Sequence, residues 1–554
     1  MQSQHASNGR GHGQCRTLCR AVLLAALTVS MSSRATPTAP APSDAAASDQ
    51  QQLEATRGNS ADAAPADEAL LQGREPHHLR SLAEMGIGLG IGAIVYWTGM
   101  ERNSPDWDNP RLVQRFDGSA WRLDNNSLAV NFILHPMVGA VAYSFARANH
   151  HGVAMSAGYS FLTSTLWEFA FEFKEMVSVN DVIVTPAAGI PLGEFMHKLG
   201  VYVGSAPQPG PAVQAVQWSL GPGVQLDRAL DGADAPPLRD PDSLGLTEKI
   251  WHRFEFDTEV GFTHGPAPTE YLTHRVGFSG RLVSLPGYLK PGDDSRWFYN
   301  ADVASLELGS ELSRHGAGVE LAADTLLAGH HLQHLRGTRA PTRGYALTTG
   351  ASMAFRFLES EANDLARQSG VPTVLEPGVR LNRHRDAEQY SVVHFPGPGL
   401  DWQVFAPGIR LLTSVRAHPD FAGIGALAFS DWTNANPDEQ GKAILLKQGY
   451  FYGWGGSCQA AGKLMMGPLH LGGELFYGRY YSQDGLERQP EKLTVDVPAE
   501  AQVLFYRGSL AMQPTRFPLA VGLSVMARRW SSTVGGQSRT VRLMSRGLYA
   551  SVWF

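Results

Sequence analysis

From Lys249 to Phe554 the chain alternates between apolar and polar positions. In "RFEFDTEVGF", Phe254, Phe256, Val260 and Phe262 fall on one side and Arg253, Glu255, Asp257 and Glu259 on the other, the period of two that a strand imposes on its side chains. The style recurs near the end: "FPLAVGLSVMARRW" sets Phe517, Leu519, Val521, Leu523 and Val525 against Ala520, Gly522 and Ser524. Large apolar residues facing lipid and small ones facing a crowded interior are the signature of a transmembrane barrel. The pattern predicts an antiparallel β-barrel of about twelve strands, each near the ~10 residues that a tilted membrane strand requires. Strands are expected around Trp251, Leu272, Val303, Ala346, Leu411, Ile424, Tyr450, Leu475 and Val503.

The segment before it, residues 79–204, follows a different period. In "LWEFAFEFKEMV", Glu168, Glu172 and Glu175 stand at i, i+4 and i+7, so a helix running to about Val177 would carry them as one acidic stripe. In "NFILHPMVGAVAYSFARA", Asn131, His135, Gly139, Tyr143 and Arg147 recur every four residues. Pro136 suits a first helical turn, with His135 at the cap or at a kink. "SVND" restarts the chain, Ser178 or Asn180 capping a helix whose first turn holds Asp181. Further along, Glu194 and His197 share a face, and Gly189 and Gly193 permit close helix packing. "EMGIGLGIGAIVYWTGM" pairs Gly86 with Gly90 and Gly88 with Gly92, a spacing that lets helix backbones approach. The run is marginal for crossing a bilayer.

Composition agrees with an envelope protein. The 554 residues carry 46 basic and 52 acidic side chains, a net charge of −6 that gives no nucleic-acid footprint. The 59 glycines, 9% aromatic content and 18% charge lean toward a membrane barrel. Arg10, Arg16 and Arg20 precede the apolar run Ala21 to Met31, and Ser33-Arg34-Ala35 offers small residues for cleavage, the order of a secretory signal peptide. Cys15 and Cys19 would leave with it, and Cys458 alone would remain. The expected organisation is a signal peptide (1–35), a disordered linker (36–78), a helical module (79–204), a Pro/Gly-rich linker (205–248) and the barrel (249–554).

Three resemblances bear on identity. The last strand, "RGLYASVWF", ends on Phe554 and resembles the C-terminal assembly signal of bacterial outer-membrane proteins. "NFILHPMVG" with Tyr143 and Arg147, then "WEFAFEF", "SVNDVIVTPAAG" and "LGE", resembles the helical module of an uncharacterised bacterial domain-of-unknown-function family, in which it precedes a barrel-like region. A further likeness to VanZ-like envelope proteins rests on Ser178, Asp181, Gly189 and Gly193 alone. None implies an established reaction.

The resulting expectation is an outer-membrane barrel with a helical module on its periplasmic side, acting as scaffold, mouth plug or docking element. Its partners would be outer-membrane lipid, the barrel assembly machinery through the last strand, and an envelope protein or lipid ligand. The alternative is an envelope hydrolase using metal or acid/base chemistry. Against it, the motifs G-x-S-x-G, H-E-x-x-H and S-x-x-K are missing from the sequence, and no cofactor is expected. The candidate polar cluster comprises Asn131, His135, Arg147, Glu168, Glu172, Asn180, Asp181 and Glu194. Arg147 is expected to pair with the glutamate stripe; otherwise His135, Glu168, Glu172 and Glu194, with Asp181, would hold a cation. "GHHLQHLRG", with His330, His331 and His334, reads as a solvated inter-strand turn.

Overall fold

The computed structural model describes residues 75–554 apart from 101–108, 124–125, 127, 208, 233–240, 266–269, 314–315, 361–387, 437–449, 484–496 and 515–516. The expected signal peptide and nearly all of the expected first linker lie outside the described residues. The chain divides into two compact units, residues 1–77 with 90–104, and residues 78–89 with 105–554.

Twelve strands close into a barrel within the second unit: β1 (Trp251–His264), β2 (Glu270–Val283), β3 (Val303–Ser313), β4 (Gly316–Arg336), β5 (Arg343–Ser360), β6 (Glu388–Ala406), β7 (Ile409–Gly425), β8 (Tyr450–Met466), β9 (Leu469–Ser482), β10 (Ala499–Met512), β11 (Leu519–Val534) and β12 (Gln537–Trp553). All neighbours are antiparallel, and β12 returns to β1, with Leu548 opposite Val260 and Trp553 opposite Glu255. The seam is extended by Phe554, which exchanges backbone hydrogen bonds of 2.9 and 3.2 Å with Phe254. Closure pairs every strand on both sides and leaves no edge. A short extra strand, Gly292–Phe298, pairs with the end of β4. The histidines of "GHHLQHLRG" lie in β4 itself and not in a turn. His331 is buried and its ring nitrogens contact Thr348 and Gln333.

Contacts between strands that are not neighbours identify the inner face. Arg356 of β5 reaches Glu474 of β9 at 3.1 Å, Lys463 of β8 reaches Glu255 of β1 at 3.0 Å, and Arg528 of β11 reaches Glu311 of β3 at 3.1 Å. Such pairs meet only across the lumen. At the end where β8 begins, Phe429 and Trp432 of a helix spanning Ala428–Ala435 pack with inward Phe451, Trp530 and Val541. At the other end Leu285, Tyr288 and Leu289 pack with Val283, Leu335 and Phe405. We therefore expect the protein to give no stable porin-sized conductance in planar lipid bilayers, measured as single-channel current.

The opposite face carries exposed Val260, Phe262, Leu272, Leu475, Leu510, Val521, Leu523 and Leu548 on β1, β2 and β9–β12, as a lipid-facing wall requires. On β2–β8 part of the same outward face is covered, while Leu312, Tyr345, Trp402, Val415 and Trp454 remain exposed. The covering comes from the helical module, whose helices are α1 (His78–Val95), α2 (His135–Ala148), α3 (Val153–Leu166) and α4 (Val179–Gly204), and α4 is the helix that lies on the strands. Val184, Ala187, Ala188 and Leu192 of α4 share a core with outward Leu321, Phe355, Phe357, Val393 and Phe421. Small wall residues receive large helical ones. A Cβ on Gly280 would stand 2.8 Å from the Phe195 ring, and one on Gly423 would stand 2.2 Å from that of Phe132.

The mouth plug expected of the module is thus a different element, the 428–435 helix with its apolar neighbours. The module lies along the outside of the wall. It is fixed at one end by Asn131, whose amide donates to the Tyr452 hydroxyl at 2.6 Å. At the other end Tyr202 donates to Asp242 at 2.6 Å and contacts His252 of β1 at 2.9 Å. The 26 residues of α4 rise about 39 Å, enough to follow the wall across a hydrocarbon layer of about 30 Å.

Two expectations about helix ends are corrected. The glutamate helix stops early, because a π turn (Trp167–Phe171) closes α3 and Glu172 leaves helical geometry; Glu175 is therefore not on its face. Gly86, Gly88 and Gly90 of α1 make no close helix approach among the described residues either, since a Cβ on any of them would meet nothing within 4 Å. Instead α1, with its π extension, is long and apolar enough to cross a membrane by length and composition.

Candidate functional site

Backbone contact between α2 and α4 sets the interior of the module. A Cβ on Gly139 would sit 1.9 Å from the Thr185 carbonyl oxygen, and one on Gly189 would sit 2.5 Å from the Gly139 carbonyl carbon. The two helices run side by side at a separation that only glycine allows, and each end of their contact collects the polar residues.

At the end near the segment between β2 and β3, Glu194 is fully buried and fully satisfied. Its Oε2 accepts from the Tyr143 hydroxyl at 2.8 Å and from Arg147 Nε at 2.8 Å. Its Oε1 faces Arg147 Nη2 at 3.3 Å and Lys198 Nζ at 3.1 Å. Arg147 also donates to the His151 carbonyl and to the Asn300 side chain at 2.8 and 2.9 Å. Lys198 donates to Ser284 Oγ at 2.8 Å. The carboxylate therefore couples α2 and α4 to the barrel segment between β2 and β3. Arg147 has a glutamate partner, as expected, but it is Glu194 and not the stripe.

At the other end three elements converge. His135 opens α2 directly after a π turn (Val130–Leu134), Glu168 lies in the π turn that closes α3, and Asp181 lies in the first turn of α4. Their ligand-type atoms all lie within 4.8 Å of one another, with His135 Nε2 3.9 Å from Asp181 Oδ2. Ser178, the N-cap of α4, binds both carboxylates: its N–H donates to Glu168 at 3.0 Å and its hydroxyl to Asp181 at 2.5 Å. The Asn180 amide donates to the other Asp181 oxygen at 2.9 Å. Asp181 is a first-turn residue, as expected, and it also faces an imidazole.

The eight residues expected to act together are thus split. Asn131 belongs to the seam between module and barrel. His135, Glu168, Asn180 and Asp181 form one cluster, and Arg147 and Glu194 form another. Glu194 and Glu172 are removed from the expected metal set. Glu194 lies thirteen residues along α4 from Asp181, about 20 Å at helical rise, and it is held by two cations. Glu172, past the π turn, accepts from Trp167 Nε1 at 2.7 Å. The residues that serve the former stripe are Arg115 and Arg122, which sequence reasoning missed. Buried Arg115 donates to the backbone carbonyls of Glu168 and Glu172, each at 2.8 Å, and to that of Glu175. Arg122 pairs with the Glu175 side chain at 3.2 Å. Both stand in a short unpatterned segment, and no periodic signal marks them.

Residues 120–222, which contain both clusters, match the family model for a domain of unknown function, DUF3943. The match begins beside the short strand Trp121–Arg122 and runs past α4, so the matched region is the wall-mounted part of the module. No curated protein matches the chain. Among solved structures, it is similar to the translocator domain of the autotransporter NalP from Neisseria meningitidis (10% identity, 60% of this chain and 94% of that one, TM-score 0.19). It is also similar to a Pseudomonas aeruginosa FadL homologue (9%, 57% and 91%, TM-score 0.23) and to the outer-membrane protein OmpT of Vibrio cholerae (7%, 58% and 100%, TM-score 0.20). At these scores the likenesses say nothing about function. The architecture is a closed twelve-stranded antiparallel β-barrel preceded by a small helical region.

Proposed function

We propose that the protein is an outer-membrane scaffold whose working surface faces sideways, into the membrane plane. The barrel is the anchor and the matched helical region is the docking element, with outer-membrane lipid as its immediate partner. One observation carries this reading: the helical surface turned away from the wall is apolar and open. Val138 and Val141 on α2 and Met155, Phe161 and Leu162 on α3 are exposed, and α3, "VAMSAGYSFLTSTL", contains no charged residue. Ionisable groups inside a bilayer are costly and turn toward a bundle interior or a partner. That is the placement of Arg147, Glu194 and Lys198. A lumen crossed by ion pairs supports a lateral role over transport along the barrel axis.

The test is chemical access. In a Cys458→Ser background, single cysteines replacing Val141 and Phe161 should resist a membrane-impermeant maleimide in intact outer-membrane vesicles and react after detergent extraction. Rapid labelling of both in intact vesicles would place the helices in water and refute the proposal.

A further inference from the structure

We propose that His135, Glu168 and Asp181 form a divalent-cation site of the zinc class, with one imidazole nitrogen, two carboxylate oxygens and the remaining positions open to water. The site does not depend on the docking role proposed above.

The donor set is the first argument. Three protein ligands drawn from histidine and carboxylate, with a position left for water, are the composition of zinc sites that keep an open coordination position. Imidazole favours zinc and its neighbours over magnesium or calcium. The second argument is geometric. Two ligands about 2.1 Å from a tetrahedral ion stand about 3.4 Å apart, and the three donor atoms lie within 4.8 Å of one another. The pair separated by 3.9 Å closes by about half an ångström and the widest by no more than about 1.4 Å, which side-chain rotation supplies.

The third argument is local backbone. π turns hold well under about 1% of residues in globular proteins and recur at functional positions. Here one π turn ends directly before His135 and another contains Glu168, so two of the three ligands are aimed by an inserted residue. Around them Ser178 and Asn180 orient the carboxylates, the outer-shell support that metal ligands require. The nearby cation Arg115 spends its donors on backbone carbonyls, at 2.8 Å for both Glu168 and Glu172. Glu168 and Asp181 are almost fully buried and His135 is partly open, which provides an approach for the ion and for water.

The experiment uses the full chain purified in mild detergent, dialysed against chelator and then titrated with Zn²⁺ by isothermal calorimetry. One equivalent should bind, with affinity falling at least tenfold in His135→Ala and in Glu168→Gln. Glu172→Gln should bind as the parent does, because Glu172 lies outside the cluster. Folding of the module in each variant is checked by its resistance to protease cleavage within residues 130–204. Should both ligand variants fail to fold, Co²⁺ added to the parent decides: visible ligand-field bands that Zn²⁺ displaces support the site, and their absence overturns it. Absence of a stoichiometric Zn²⁺ isotherm in the parent, or unchanged affinity in a folded His135→Ala protein, overturns it as well.

Discussion

Glu194→Ala is expected to unfold the helical module while the barrel survives. The substitution removes one buried anion and leaves two buried cations, Arg147 and Lys198, facing each other across the vacated space. Breaking a buried ion pair from one side costs about 3–5 kcal/mol, because the surviving charge is uncompensated. Here the Tyr143 hydroxyl also loses its acceptor. The loss should appear as protease cleavage within residues 130–204 under conditions that leave the parent intact, while heat-dependent gel mobility still reports a closed barrel. Glu172→Gln is the control and should leave the cleavage pattern unchanged. Equal resistance in the Glu194→Ala protein would show that the module is held by its wall contacts alone.

Gly139→Leu is expected to be as damaging, through backbone contact and not charge. Its Cβ would stand 1.9 Å from the carbonyl oxygen and 2.7 Å from the carbonyl carbon of Thr185. Neither atom can swing aside as a side chain would, so α2 and α4 must separate. The cost exceeds the about 1–3 kcal/mol of ordinary overpacking. Separation would also break the Glu194 cluster, so the two losses are not independent. Gly86→Leu, where nothing lies within 4 Å, should be neutral. Thermal melting of the module followed by near-ultraviolet circular dichroism in detergent distinguishes them, and a Gly139→Leu protein melting with the parent would contradict the close crossing.

The barrel was legible because its signal is local: Phe254, Phe256, Val260 and Phe262 alternate whatever lies beyond them. What covers the wall was not legible, because an outward apolar residue reads the same against lipid or against a helix. Leu308 and Phe355 meet the module, whereas Leu504 and Leu523 are exposed, and no periodicity separates the two pairs. The polar residues of the module were found because they are rare within apolar helices. Their grouping was not found, because it depends on two π turns and on the α2–α4 crossing. The i, i+4, i+7 spacing of Glu168, Glu172 and Glu175 holds only along an uninterrupted helix, and the turn at Trp167–Phe171 breaks it. The Arg147–Glu194 pair joins positions 47 apart in the chain, a separation at which side-chain pattern carries no information.

Most of the seam between β1 and β12 lies on the uncovered part of the wall, with Val260 and Leu548 exposed on its two strands, while the module contacts β2 to β8 and only the first residues of β1. This placement orders the assembly of the protein. The helices precede every barrel strand in the chain, yet their seat is complete only once β8 is laid down, so their contacts with the wall are long-range and slow to form. They can then settle against a still open sheet, because the last strands and the closing edge lie elsewhere. Insertion can finish at that free edge without displacing the bundle, and a defect in either process need not stall the other.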